Sequence, residues 1–494
     1  MARPTRRSFL GMLGAGAVSL ALPRWVRAAP ARKPNLLFIL IDDMGWRDVG
    51  FMGSTYYETP NIDRLARQGI VFTQAYANGP NCAPTRASLM SGQYSPRHGV
   101  YTVGSAKRGS AKRRKLIPVA NTTTLRSHIV TLAEALKPAG YVSASMGKWH
   151  LGSPPGAGPV AHGFDVNVGG NATGHPRGGY FSPYRNPQLP NGPKGEYLTD
   201  RLTEEAVEFI EAHKDRPWFL YLPHYAVHTP IQAKRKLVAK YKKKEPSGGQ
   251  GNPEYAAMIE SVDQGVGRLL STLDRLGLAD DTVVVFTSDN GGMGGYRECG
   301  VLGGEITSNA PLKGGKGMLY EGGIREPCCV RWPGRIKPGT KCDVPIISLD
   351  FYPTLVEVAG ARPPTGQPLD GESIVPLLEG KGTLKRDALY WHFPAYLQGG
   401  RGTWRTTPGG VIRTGDWKLI EFFEDRRLEL YNLAEDIGET TNLADKMPEK
   451  VKELHRRLIA WRKRLNAPVP TKKNPKYDPD APKWEGGKRG KKKG

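Results

Sequence analysis

Four short apolar runs punctuate the chain: Leu36 to Ile41, Tyr141 to Ser145, Trp218 to Leu222 and Thr282 to Phe286. Their length and continuity predict buried strands. Between them, apolar residues recur at helical spacing. Leu132 to Leu136 precedes Gly140, and Leu202 to Ala212 carries its apolar residues on one face. Tyr255 to Leu276 does the same with Met258, Ile259, Val262, Val266, Leu269 and Leu270. Strands alternating with helices predict an α/β fold, a mostly parallel sheet covered on both faces.

The pattern changes near Leu384. Val411 to Ile420 alternates like a half-buried hairpin around Gly415-Asp416, and Arg427 to Tyr431 reads as a further strand. Pro448 to Leu465 has the spacing of an amphipathic helix with Pro in its first turn. A smaller antiparallel sheet with a helix is expected over residues 384–470, beside a main domain over 33–383. From Thr471 to residue 494 the chain is rich in Lys, Pro and Gly and is expected to be disordered.

The ends of the four strands carry the chemistry. The first run ends in Asp42-Asp43, and the second leads into Gly147-Lys148-Trp149-His150. The third leads into His224-Tyr225-Ala226-Val227-His228, and the fourth ends in Ser288-Asp289-Asn290-Gly291. Sites in open α/β sheets form outside the carboxyl ends of strands. One such end is an ordinary turn, since Asp and Asn favour turns. Four together predict a site.

Residues 1–28 read as a targeting segment. Thr5-Arg6-Arg7-Ser8-Phe9-Leu10 resembles a twin-arginine export signal, Phe9 to Leu22 is apolar, and Val26-Arg27-Ala28 offers a small-residue cleavage site. This predicts export by the twin-arginine translocase to the periplasm or beyond. No apolar run reaches eighteen residues, so no transmembrane anchor is expected. The five cysteines are Cys82, Cys299, Cys328, Cys329 and Cys342, with no zinc-site spacing.

The formal charge is +24, and removing the five Arg of the targeting segment leaves +19. Lys107 to Lys115 holds six basic residues, Lys234 to Lys244 seven, and Lys472 to Lys493 nine against three acids. Such runs are usually solvated surface, though they attract polyanions. No nucleic-acid motif accompanies them, so no nucleic-acid partner is expected.

One stretch remains: Cys82-Ala83-Pro84-Thr85-Arg86, continued by Ala87-Ser88-Leu89-Met90-Ser91-Gly92. Pro84 suits the first turn of a helix, which would place residue 82 at the helix N-terminus, where backbone N–H groups favour an anion. The same position would lower a thiol pKa, so a plain catalytic cysteine stays open. The stretch resembles the signature of the type I sulfatases. Asn35 to Trp46, Gly147 to Gly152, Thr287 to Gly291, Lys313 to Gly323 and Tyr431 to Leu443 resemble further blocks of that family, in order. The flavour is that of bacterial secreted arylsulfatases and N-acetylgalactosamine-6-sulfatase-like enzymes.

The resemblance implies an alkaline-phosphatase-like fold and oxidation of Cys82 to formylglycine (3-oxoalanine) by a maturation enzyme. It implies that Asp42, Asp43, Asp289 and Asn290, with residue 82, bind calcium. Three carboxylates and an amide are hard oxygen donors, which suit calcium or, less well, magnesium. Arg86 would orient the hydrated aldehyde. Lys148 and Lys316 would hold sulfate oxygens, with Lys313 as runner-up to Lys316. His228 would protonate the leaving alcohol, and His150 would remove a proton so that sulfate is expelled. His224 and His98 have weaker claims.

A rim loop is expected from Gly169 to Pro176 and Tyr180 to Tyr184. With Trp404 and the basic loops, its aromatics suit a sulfated sugar. Two other readings share these features: a phosphonate or phosphate ester hydrolase of the same superfamily, and a non-catalytic polyanion-binding relative.

Overall fold

The structure, a computed structural model, describes residues 33–482. The export signal expected at residues 1–28 and the tail beyond residue 482 lie outside the described residues. The four apolar runs form strands Asn35–Ile41, Val142–Met146, Trp218–Pro223 and Thr282–Ser288. They sit in the middle of an eight-stranded sheet. Asn35–Ile41 pairs in parallel with Trp218–Pro223 on one side and Thr282–Ser288 on the other. Val142–Met146 and then Val166–Val168 extend the parallel side. On the other side Cys328–Arg331 runs antiparallel, followed by Ile70–Phe72 and Thr340–Cys342.

The runs are continuous because both faces of the sheet are covered. Along Asn35–Ile41, Leu37, Ile39 and Ile41 face one core with Leu202, Ile210, Val262 and Leu269. Leu36, Phe38 and Leu40 face the other with Ala87, Leu89, Phe351 and Leu355. Helices Leu198–Ala212 and Pro253–Arg275 therefore cover one face, and Cys82–Ser91 and Phe351–Val358 the other. The expected α/β fold is what the chain adopts.

The C-terminal part forms a four-stranded antiparallel sheet, in the order Leu389–Phe393, Gly409–Thr414, Trp417–Phe422, Leu428–Asn432. Thr414 pairs with Trp417 across the Gly415-Asp416 turn. Helix Pro448–Arg464 packs on this sheet through Leu454, Leu458 and Trp461. Residues 471–482 depart from the expected disorder. The Ile117 N–H donates to the Lys472 carbonyl, and the Asn474 N–H donates to that of Lys115, each at 2.9 Å. Asn474 Nδ2 adds bonds to the carbonyls of Ala111 and Arg114, both at 2.7 Å. Composition alone reads this segment as solvated, but its backbone has found partners in the basic loop.

Candidate active site

Each central strand ends by delivering a polar group to one place. After Ile41 the chain stays paired for one more residue: Asp42 N–H donates to Ala226 O and Asp42 O accepts from Val227 N–H. Asp43 then turns left-handed at φ 62, and its N–H donates to Asp289 Oδ1 at 3.2 Å. Thr282–Ser288 delivers Asp289 and Asn290. The turn closes because residue 291 is glycine: a Cβ there would lie 1.9 Å from the Gly322 carbonyl oxygen.

Helix Cys82–Ser91 starts at the site, with Pro84 in its first turn. Cys82 Sγ stands 3.4 Å from Asp42 Oδ1 and 3.9 Å from Asp43 Oδ1. One turn on, Arg86 reaches back. Its Nε and Nη2 lie 2.8 and 2.7 Å from Asp289 Oδ2, and Nη1 donates to the Lys148 carbonyl at 2.6 Å. Lys148 Nζ is 2.6 Å from Asp42 Oδ2, and Lys316 Nζ is 2.6 Å from Asp43 Oδ2. Asn290 Nδ2 donates to Asp43 Oδ1 at 2.9 Å. Three buried carboxylates thus face three cations.

Burial and charge pull against each other here. Burial and the neighbouring Asp42 raise Asp289 to about 6, against the pull of Arg86. For Asp43, burial raises the pKa but Lys316, His228 and Lys148 together outweigh it, so the group stays below the usual range. Burial, then the Asp42 charge, pushes the Cys82 thiol up to about 12. The helix N-terminus was expected to favour a thiolate; the dry, acidic surroundings prevail instead.

The donor set fits a hard cation. The ligand atoms of Asp42, Asp43, Asp289 and Cys82 all lie within 4.8 Å of one another. Asn290 Oδ1 is buried and has no hydrogen-bond partner. The same amide donates Nδ2 to Asp43, so it lies beside the carboxylates, and a buried oxygen acceptor left without a donor there is one that a bound cation would satisfy.

The two histidines line one cavity of about 280 Å3 together with Cys82 and Lys316. His228 Nδ1 lies 2.7 Å from the Thr229 carbonyl, so that nitrogen carries the proton and Nε2 faces Asp43 at 3.7 Å. Burial and Lys316 lower its pKa to about 3. His150 has φ 63, and its buried Nδ1 has no partner. Burial, then Lys148 and Arg86, hold it well below the ordinary histidine range.

The remaining expectations separate. His98 is a satisfied core group, with Nε2 3.0 Å from Ser88 Oγ and Nδ1 accepting from Val100 N–H. His224 is buried and does not line the cavity. Lys313 points away, with Nζ donating to the Glu439 carbonyl at 2.9 Å and lying over Tyr320. Tyr180 and Tyr184 are not rim groups. Both are buried: Tyr180 donates to the carbonyls of Tyr225 and His228, and Tyr184 to Glu196. Tyr180 therefore supports the His228 turn from behind.

His175 and Gly174 line the cavity from the expected rim loop, whereas the polar cavity residues Asn81, Arg108 and Arg405 were not singled out as site groups. Arg108 was within reach as part of the basic run from Lys107, which reads as plain surface. Arg405 carried no signal beyond its neighbour Trp404.

The fold and the cluster at its strand ends define a class, the alkaline-phosphatase-like hydrolases. The comparisons narrow it. The Sulfatase family model matches residues 34–361, and the model of the N-sulphoglucosamine sulphohydrolase C-terminal region matches residues 315–464. The chain belongs to the sulfatase family and is a sulfuric ester hydrolase. It is similar to a sulfatase of Formosa agariphila, 36% identical over 89% of this chain and 90% of that protein. It is also similar to the N-acetylgalactosamine-6-sulfatase of Canis lupus familiaris, 34% identical over 74% of this chain and 69% of that one. The solved structure of Ps i-CgsB in complex with k-i-k-neocarrahexaose matches with a TM-score of 0.71 at 30% identity, covering 87% and 93% of the two chains. The phosphonate monoester hydrolase of Agrobacterium radiobacter shares the fold, with a TM-score of 0.63 at 23% identity.

Proposed function

We propose that the protein is a calcium- and formylglycine-dependent sulfatase acting on a sulfated carbohydrate. The observation that carries this reading is the convergence of Asp42, Asp43 and Asp289 on Cys82 at a helix N-terminus, beside a buried Asn290 whose amide oxygen has no partner. The names of its relatives support a carbohydrate substrate, since they include N-acetylgalactosamine-6-sulfatases and a protein solved with k-i-k-neocarrahexaose. The signal-like residues 1–28 support export by the twin-arginine translocase. Among the described residues no helix is long and apolar enough to cross a membrane.

Oxidised to an aldehyde and hydrated, residue 82 would present two hydroxyls, one to attack sulfur and one to collapse the adduct and free sulfate. Calcium held by Asp42, Asp43, Asp289 and Asn290 would supply positive charge opposite the sulfate oxygens. The chain's own groups do the rest. With Asp42 and Asp43 holding a cation, Lys148 and Lys316, which pair with them in the structure, would be free to take sulfate oxygens. Arg86 locks Asp289 to the Lys148 backbone and so holds the cluster around residue 82. His150 is in its neutral, basic form and can accept the hydroxyl proton. His228 presents Nε2 to the cavity, and an anionic substrate beside it raises its affinity for the proton it gives to the leaving oxygen.

A high thiol pKa disfavours the competing thiolate reading of Cys82. The test is sulfate release by protein co-produced with a formylglycine-generating enzyme. Sulfated hexosamine should be hydrolysed, and chelation should abolish turnover until calcium is restored. Faster turnover of an aryl phosphonate or phosphate diester would favour the other hydrolase reading. Binding of sulfated glycan without turnover, in protein carrying the aldehyde, would favour a non-catalytic role.

A further inference from the structure

The cavity over Cys82 has a second cationic wall. Arg108 comes from the basic loop that follows helix Ser95–His98, and Arg405 from the short strand Trp404–Thr406. The two are held against each other by packing of that loop on the hairpin: Lys107 bridges to Tyr396, and Gly109 lies against the Trp404 ring. Each guanidinium is half-buried, and neither pairs with a carboxylate among the described residues. Arg108 Nη2 donates to the Val103 carbonyl at 2.7 Å. Arg405 stacks on Tyr296, 4.4 Å from the ring centroid, and its buried Nε has no partner. Tyr296 in turn donates to the Lys316 carbonyl at 3.1 Å. Gly317 lets Arg405 pass over the Lys316 loop, since a Cβ there would meet the Arg405 Cδ at 3.1 Å and Leu397 at 2.4 Å.

Two guanidiniums sharing one cavity repel each other and lose hydration, a cost that an acidic partner normally offsets. Among the described residues the buried Arg86, Arg325 and Arg462 have one: Asp289, Glu321 and Glu421 respectively. Arg108 and Arg405 face the cavity without one. Their planar forks match an oxyanion.

We infer that Arg108 and Arg405 form a second oxyanion subsite, so that the preferred substrate carries another sulfate or a carboxylate beside the sulfate ester being cleaved. This rests on the sulfatase reading for the first anion. It assigns to Arg108, within the basic run Lys107 to Lys115, a role that plain solvation does not.

The test is binding to the Cys82→Ala protein, which needs no maturation, alongside turnover by the matured enzyme. The probes are a monosulfated hexosamine, its disulfated counterpart and a uronate-linked monosulfated disaccharide. At least one dianionic probe should bind about tenfold or more tightly than the monosulfated one, the scale of one charge-assisted hydrogen-bond set. Which probe gains tells sulfate from carboxylate. Arg108→Gln and Arg405→Gln should each bring the ratio to within about twofold. Arg405→Lys, which keeps the charge but not the fork, should keep part of it and guards against misfolding. Equal affinity for all three probes, or a preference surviving both Gln variants, overturns the inference. Absence of turnover with the ratio intact would instead count against the sulfatase reading alone.

Discussion

At the residue scale, the site is a set of charges that would be ruinous singly and are stable together. Asp42, Asp43 and Asp289 are buried carboxylates, and Arg86, Lys148 and Lys316 compensate them. Arg86 is the least replaceable of the cations, because one planar group bonds both Asp289 and the Lys148 carbonyl. Lysine keeps the charge and loses the fork. Arg86→Lys is therefore expected to lower kcat/KM by about 100- to 1,000-fold, the range for a lost electrostatic donor. Steady-state sulfate release measures this, and a loss below tenfold would contradict the positioning assigned to Arg86. These six residues were legible because each follows a recognisable run or motif. The buried fates of Tyr180 and Tyr184 were not. A loop aromatic reads as a rim group until its hydroxyl is found on a backbone carbonyl.

At the element scale, the strand pattern was legible because a strand buried on both faces must be apolar throughout and must stop where charge begins. Asn35–Ile41 obeys this from Leu36 to Ile41 and is followed at once by Asp42-Asp43. What the pattern could not show is how loops close over the strand ends. Gly174 illustrates it. It lies directly against the His150 ring, where a Cβ would meet ring atoms at 2.4 and 2.5 Å. Its backbone is not left-handed, so alanine fits the loop and the ring must give way. Gly174→Ala is expected to lower kcat by about 100-fold, as displacement near 1 Å does. The melting temperature should stay within a few degrees. Unchanged kcat would show that His150 has no positional role. The meeting of Arg108 and Arg405 was illegible for the related reason that it depends on a loop docking on a distant hairpin.

At the scale of the whole molecule, the C-terminal sheet is tied to the catalytic loops by buried ions. Lys418 Nζ lies 2.9 Å from Glu321 Oε1 and 2.8 Å from Glu439 Oε1. Tyr76 donates to Glu321 Oε2 at 2.7 Å, and Arg413 of the C-terminal sheet donates to Tyr76 at 2.6 Å. Glu321 opens the short helix that follows the Lys316 loop. Lys418→Met would leave two carboxylates buried without their shared cation. It is expected to cost about 3–5 kcal/mol of unfolding free energy, the usual cost of removing one partner from a buried pair. Denaturant titration measures it, and a loss under about 1 kcal/mol would mean the cluster holds nothing together. The basic surface acts at this scale too. From the loop Lys107 to Lys115, Arg108 lines the cavity, whereas Lys240 and Lys244 pair with Glu58.

The central claim is that residue 82 works as an aldehyde within this cluster. The direct measurement is the mass of the tryptic peptide Gln68–Arg86, taken from protein that is releasing sulfate. Conversion of the thiol side chain to an aldehyde lowers the mass by about 18 Da. The account predicts that shift, with specific activity rising in proportion to the converted fraction. Full activity in protein whose peptide keeps the mass of unmodified cysteine would contradict it.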